Sequence, residues 1–363
     1  MEISNMSLAL CIFIVCSAII LDKKYSKLYI PMRKGIALKE IFLLFAIGGL
    51  TIIAGLRGDF NQDYPNYAWL YQYDYPEKSW FEALGDKEFG FAILNKIAFM
   101  ISSKTFVLML LVSTITMYCY YKVFRSYSED YFLSIIMLAI VDNYIISFNL
   151  TRNICACALF FCASQLIWKG KPFQYIISIL AISTIHKSAI LMIPMYWILR
   201  FDYKKKNNRP AILLVLSVFL IFIFEFDKIV WSIQRILGYN WEEIMYGVER
   251  GSLGSLMKTI ILFIIVLLLI KNINYSDIKE RVWINGCLMN VVFQFCSYRM
   301  FMMQRIGFYF SGFFLLLFPL LISRINIKKQ KIYKIGITVF IFLYAILFRG
   351  DNIYYTFWNN KIL

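Results

Sequence analysis

Four side chains that carry or can take up positive charge, Arg57, Arg152, His186 and Arg305, each stand at the edge of a long apolar stretch of this sequence. Charge there is costly unless it is paired or lines a water-filled cavity, so such residues mark function when they gather on one side of a membrane. Together the four describe a site for an anion carried on a lipid. Arginine suits a diphosphate because its planar fork makes paired hydrogen bonds that survive partial desolvation. His186 is the only histidine of the chain. Its ordinary pKa near neutrality suits either a general base or a phosphate contact. Asp63 and Glu88 are the carboxylates that would act as base instead, given a raised pKa. Lys187 and Arg299 read equally well as interfacial side chains that snorkel to water.

The stretch "GLRGDFNQDYPNYAWLY", residues 55 to 71, places Arg57, Asp59, Asp63 and five aromatics directly after an apolar run. Residues 227 to 253 form a second aromatic-rich segment. Aromatic belts mark membrane interfaces. Rings with Asp, Asn and Arg between them also suit sugars, whose C–H faces stack on the ring while their hydroxyls bind polar groups.

The elements that position these groups follow from composition. Hydrophobic residues make up 60% of 363 positions and mean hydropathy is +0.65, with apolar runs throughout. A span needs about 20 mostly apolar residues, because lipid offers backbone amides no partner outside the helix itself. The reading is an all-α polytopic membrane protein, one integral domain over residues 1 to 363, compatible with a GT-C-like arrangement. Candidate spans are 2 to 21, 39 to 56, 105 to 121, 131 to 149, 153 to 168, 211 to 226, 254 to 270, 282 to 298, 306 to 323 and 333 to 348. The first lacks a basic leader and a small-residue cleavage site and reads as a retained helix. Residues 173 to 199 are too long for one upright span and are broken by His186 and Lys187. They read as a hairpin with that pair at its tip. Residues 89 to 103 are short, carry Asn95 and Lys96 centrally, and read as an interfacial or re-entrant helix. The eight cysteines lie in or beside apolar runs and imply neither disulfides nor a zinc site.

Counting the hairpin as two crossings and 89 to 103 as none gives about 12 crossings, with larger outer loops at 57 to 104 and 227 to 253. Residues 22 to 40, 122 to 130, 169 to 172, 200 to 210, 271 to 281 and 324 to 334 then share one side. They hold 23 Lys or Arg against 7 Asp or Glu, while the rest of the chain holds 15 of each. The formal charge of +16 therefore sits on one face, which is cytoplasmic by the positive-inside rule. Both termini fall outside. Topology and anionic headgroups account for the basic balance, so no nucleic-acid partner is implied.

The order "LRGDFNQDYPNYAWLY", "EFGFAILNKI", "LTRNICACALF", "IHKSAILMIPMYWIL", "QRIGFYF", from about residue 50 to about 325, resembles the EpsG-like branch of the Wzy-type polysaccharide polymerases. The family's Arg, Asp and Tyr-x-x-Tyr pattern is matched by Arg57, Asp59 or Asp63, Tyr64 and Tyr67. Its Glu followed by Gly and aromatics is matched by Glu88, Gly90 and Phe91. Arg152 matches the next motif, although the Gln expected after it is Asn153. His186 and Ser188 match a His-x-Ser pattern, and Arg305 precedes Tyr309 and Phe310.

The resemblance implies polymerisation of undecaprenyl-diphosphate-linked oligosaccharide repeat units at the outer face of the bacterial cytoplasmic membrane. The glycosyl diphosphate bond supplies the energy, so no nucleotide and no cofactor is expected. Arg57, Arg152 and Arg305 are assigned to the diphosphate, and His186, Asp63 or Glu88 to proton transfer. Asp59, Tyr64, Tyr67 and Tyr309 are assigned to the glycan, with pairing to Arg57 as the other reading of Asp59. A metal would have only Asp59, Asp63 and a nearby Glu for ligands, and arginine clamping is favoured over it. Expected partners are the lipid-linked oligosaccharide, membrane lipids, a flippase and a chain-length regulator. Alternatives are a flippase of the same lipid, a polyprenyl-phosphate-dependent glycosyltransferase and an O-antigen ligase.

Overall fold

A computed structural model describes residues 29–30, 36–57, 63–141, 143–203, 253–298 and 301–326, with positions 330, 332, 333 and 336 beyond. A two-residue ribbon pairs β1 (Tyr29–Ile30) with β2 (Ile36–Ala37), and the other elements are helical. They are α1 (Leu38–Gly55), α2 (Tyr64–Trp69, continuing through a π-turn Leu70–Asp74 into Tyr75–Glu77), α3 (Trp80–Gly85), α4 (Phe89–Ile101) and α5 (Thr105–Tyr127). Then come α6 (Tyr131–Ile136, running into a π-turn Met137–Val141), α7 (Asn143–Ile146), α8 (Thr151–Ala163), α9 (Gln165–Trp168) and α10 (Pro172–Ser183). A 3-10 segment Lys187–Met192 leads into α11 (Met195–Arg200), and α12 (Leu253–Leu268), α13 (Ile278–Ser297) and α14 (Met302–Ser323) complete the described chain. The expected spans 2 to 21, 211 to 226 and 333 to 348, the loop 227 to 253 and both termini lie outside the described residues, apart from isolated positions.

Among the described residues, α5 and α14 alone are long and apolar enough by themselves to cross a membrane. Residues 40–55 of α1, α4, the α6–α7 stretch, α10 and α12 are shorter apolar helices. Apolar burial does not drive helices together in lipid, so close backbone approach matters more. At Gly55 a Cβ would lie 2.6 Å from Leu110 Cδ1, which is how α1 comes against α5. The central element is α14, apolar on every side and buried from Gly307 to Ile322. Phe160 of α8 packs on it edge-to-face against Tyr309, Phe310 and Phe313.

The bundle has two chemically distinct ends. At one end Glu40 pairs with Arg125 at 3.1 Å, Asp202 with Arg281 at 3.6 Å and Glu280 with Arg324 at 2.6 Å. Tyr127 donates to Gln165, Arg200 to Ile167 O and Arg324 to Asn272 O. These contacts join or border every loop assigned to the basic face. Acidic residues there also cap helices: Asp130 accepts from Leu133 N–H and Asp277 from Lys279 N–H. At the opposite end lie Arg57, Glu88, Arg152 and His186.

Two local features answer to this frame. With α1 and α5 antiparallel, the chain leaves one and enters the other at the same end. Residues 57 to 104 therefore make no net passage through the bundle, and the 13-residue α4, about 20 Å long, stays at that end. Its Lys96, unexpected in an apolar run, caps α2 by donating to Tyr75 O and Lys78 O. Residues 172 to 200 double back. Tyr175 OH donates to Met192 O at 2.6 Å and the Tyr175 and Tyr196 rings meet at 5.6 Å, which leaves His186 at the reversal.

Candidate active site

The site forms where α4, α8 and the tip of the α10–α11 hairpin meet, and Gly90 permits the meeting. Gly90 N–H donates to Thr184 O at 2.9 Å, and a Cβ at Gly90 would overlap Thr184 Oγ1. That close approach delivers Glu88, just before α4, to the hairpin tip. Glu88 Oε1 accepts the Lys187 backbone N–H at 2.9 Å, one of the amides left without partners at the start of the 3-10 segment. His186 Nδ1 lies 2.9 Å from the same oxygen, and Arg152 Nη1 donates to Oε2 at 2.7 Å.

Each partner is held for its own reason. Arg152 is the second residue of α8, where the helix dipole disfavours a cation. The Glu88 carboxylate and the ring faces of Tyr67 and Phe91, 5.4 and 5.3 Å from its guanidinium carbon, offset that cost. Burial by itself would raise the Glu88 carboxyl. Hydrogen bonds from His186 and the Lys187 amide, with the Arg152 charge, outweigh it and hold the carboxyl below its usual value. Glu88 is thus placed as an anchor, its carboxyl shifted away from the direction a base would need. With Glu88 ionised, the network assigns the imidazole proton to Nδ1 and leaves Nε2 as the basic nitrogen. Among the described residues Nε2 has no partner.

The remaining candidates fall around this triad. Ser188 Oγ lies 3.0 Å from Tyr309 OH, and Arg305 stands one turn before Tyr309 on α14. Arg305 makes no hydrogen bond or ion pair among the described residues, and its Nε is buried without a partner. Arg152 Nε and Asn153 Nδ2 are further buried donors with none. Asp63 precedes α2, and its backbone N–H donates to Asn149 Oδ1 at 3.1 Å, which brings it near the entry to α8. Asp59 lies outside the described residues.

Four residues expected to touch the substrate, Arg57, Tyr64, Tyr67 and Tyr309, are buried. Arg57 is 1% exposed and donates to Ala54 O, Thr151 Oγ1 and Met109 Sδ, so it ties α1 to α5 and α8. Tyr64 and Tyr67 are 8% and 4% exposed. They belong to an inward stripe with Tyr71 and Tyr75 and offer no open ring face to a sugar. Pro76 cannot donate to Gln72 O, and the helix ahead of it opens into the π-turn, where Tyr75 N–H reaches Leu70 O. Tyr309 is 1% exposed and shows only its hydroxyl to Ser188. The exposed rings of this segment are Trp69, Tyr73, Trp80 and Phe81, which nothing in the sequence separates from the buried ones. Thr151, Met109 and Asn149 were also missed. A polar "FNLTRN" turn was the only sequence signal for Thr151 and Asn149.

A family model, that of the EpsG family, matches residues 40–360. The chain belongs to the EpsG family. These are Wzy-like polysaccharide polymerases and integral membrane proteins. No curated protein and no solved structure matches the chain. The family match therefore carries the functional class, and nothing in these comparisons bears on a GT-C-like arrangement.

Proposed function

We propose that this EpsG-family protein transfers a growing glycan from its undecaprenyl diphosphate to a hydroxyl of an incoming lipid-linked repeat unit, at the Glu88 end of the bundle. The observation that carries the proposal is one carboxylate gripping both Arg152 and His186, near an Arg305 with no partner among the described residues. Glu88 is the positioning residue. It fixes Nδ1–H so that His186 Nε2 takes the proton of the acceptor hydroxyl as the new C1–O bond forms. The bond from C1 to the diphosphate oxygen breaks, its electron pair leaves with the diphosphate, and Arg305 and Arg152 stabilise that charge. Arg152 must share or exchange its Glu88 contact to do so, whereas Arg305 is free from the start. Asp63 is the alternative base. The lipid donor, the outer-face location and the partner flippase and chain-length regulator belong to this proposal.

The test compares cells lacking the gene with cells restored by wild-type, His186→Gln or Arg305→Ala protein, reading polysaccharide size and the membrane side of the lipid-linked precursor. Single units accumulating outside, with long chains restored only by wild type, support the proposal. Units trapped inside would replace it with a flippase, and unchanged chains would overturn both readings.

A further inference from the structure

Three buried nitrogens at the Glu88 end have no hydrogen-bond partner among the described residues: Arg152 Nε, Asn153 Nδ2 and Arg305 Nε. Burying a donor without a partner is costly, and folded proteins seldom carry one without a reason. Arg152 is held by Glu88, but no charge accounts for Asn153, which is 3% exposed.

The helices bring the three donors to one level. α8 starts beside Glu88 and α14 ends beside Glu280, so both run from the site toward the basic end. Phe160 packs against Phe310 and Phe313, and two turns earlier on each helix stand Asn153 and residues 303 to 306, which include Arg305. Asn153 Oδ1 accepts from Cys157 Sγ, one turn deeper in α8, at 3.8 Å. The other arm of the planar carboxamide, Nδ2, is thereby turned back toward the start of α8. Among the described residues no side chain caps that start, since Leu150 holds the N-cap position. Its first-turn amides and the dipole behind them favour an anion. The carboxylates nearby do not fill the need. Glu88 already accepts three bonds, and Asp63, near the entry to α8, pairs with none of the three nitrogens. A surplus of donors calls for a ligand rich in oxygen lone pairs. Two guanidinium groups match its charge, and a third cation would add repulsion, whereas a carboxamide adds a donor and no charge.

We infer that Asn153 is a further substrate-binding residue, donating from Nδ2 to an oxygen of the lipid diphosphate where α8 meets α14. The inference rests on the lipid-diphosphate reading of the site. An oxygen of the first sugar has the same chemistry, and a ligand without sugar separates the two sources.

Full-length protein in phosphatidylcholine nanodiscs is titrated with undecaprenyl diphosphate and with undecaprenol, and bound lipid is counted by native mass spectrometry. Wild type should bind the diphosphate well above undecaprenol. Asn153→Leu, which keeps the volume and removes the donor, should weaken diphosphate binding about ten- to a hundredfold and leave undecaprenol unaffected. The nitrogen it deletes has no partner among the described residues, so the ligand-free Tm should stay level or rise, unlike that of a residue serving the fold alone. Asn153→Gln keeps a donor and should recover part of the affinity. Unchanged diphosphate affinity in Asn153→Leu overturns the inference and leaves a sugar contact or none. A ligand-free Tm several degrees below wild type also overturns it, because Asn153 is then a strut. Wild type that binds undecaprenyl diphosphate no better than undecaprenol removes the lipid-diphosphate reading itself, and this inference with it.

Discussion

Two glutamates, one at each end of the bundle, each accept three hydrogen bonds and do opposite work. Glu280 is 3% exposed, takes both nitrogens of the Arg324 fork at 2.6 and 2.7 Å, and accepts Asn274 N–H at 2.7 Å. One arginine meets it in a closed, bidentate pair. Glu88 is held from two places, by Arg152 of α8 and by His186 and the Lys187 amide at the hairpin tip, and its side chain is 18% exposed. Around it stand buried donors with no partner among the described residues. A closed pair is a strut, whereas an open one with unmet donors is arranged for something not yet bound.

The largest effect that would sharpen this contrast is on rate. Replacing His186 by Gln should lower polymerisation about 10²- to 10⁴-fold at normal abundance, measured as chain extension by purified protein supplied with lipid-linked repeat units. Glu88→Ala should fall nearly as far, because the imidazole loses its orienting acceptor. Glu280→Gln should behave in reverse. It should cost about 2 to 3 kcal/mol of stability, seen as lower detergent-solubilised yield and a lower Tm, with extension per molecule unchanged. Near-normal extension by His186→Gln, or abolished extension by well-folded Glu280→Gln, would erase the distinction between the two ends.

Much of this frame was legible in the sequence, and the illegible part has a physical pattern. Helices α1, α5, α12, α13 and α14 follow apolar runs, because in lipid a run of sufficient length has no other way to satisfy its backbone. The loops grouped by charge meet in ion pairs such as Glu40–Arg125 and Asp202–Arg281. His186 at a hairpin tip was readable from the broken apolar run. The direction in which a side chain faces was not. Arg57 and Arg305 look alike in sequence, yet one is sealed by Thr151 and Met109 while the other has no partner among the described residues. Tyr67 and Trp69 lie two residues apart and point to opposite sides of one helix, at 4% and 56% exposure. Glu88 meets partners 64 and 98 residues away, a pairing that only the Gly90 contact with Thr184 brings about.

Arg305 offers a smaller but cleaner break. It has no partner among the described residues to strand, so Arg305→Ala should change stability by no more than about 0.5 kcal/mol. Loss of one charge-assisted hydrogen bond to the leaving diphosphate should slow extension about tenfold. Arg305→Lys should recover part of that loss, since it restores charge but not the fork. A large fall in Tm for the Ala variant would instead make Arg305 a strut like Arg324.

The smallest effect is the pH dependence, and its sign separates an anchor from a base. The folded protein holds the Glu88 carboxyl below its ordinary value, so the folded state binds this proton less readily than the unfolded chain does. The stability Glu88 contributes is therefore fully present above the unfolded carboxyl pKa of about 4.3, and it drains away as pH falls through the lower folded value. Thermal unfolding of wild type and Glu88→Gln in detergent from pH 7 to pH 3 should show a constant difference down to about pH 5 that narrows below it. A difference that already closes between pH 7 and pH 6 would mean a carboxyl that gains its proton near neutrality. Glu88 would then be the base, and His186 the group it positions.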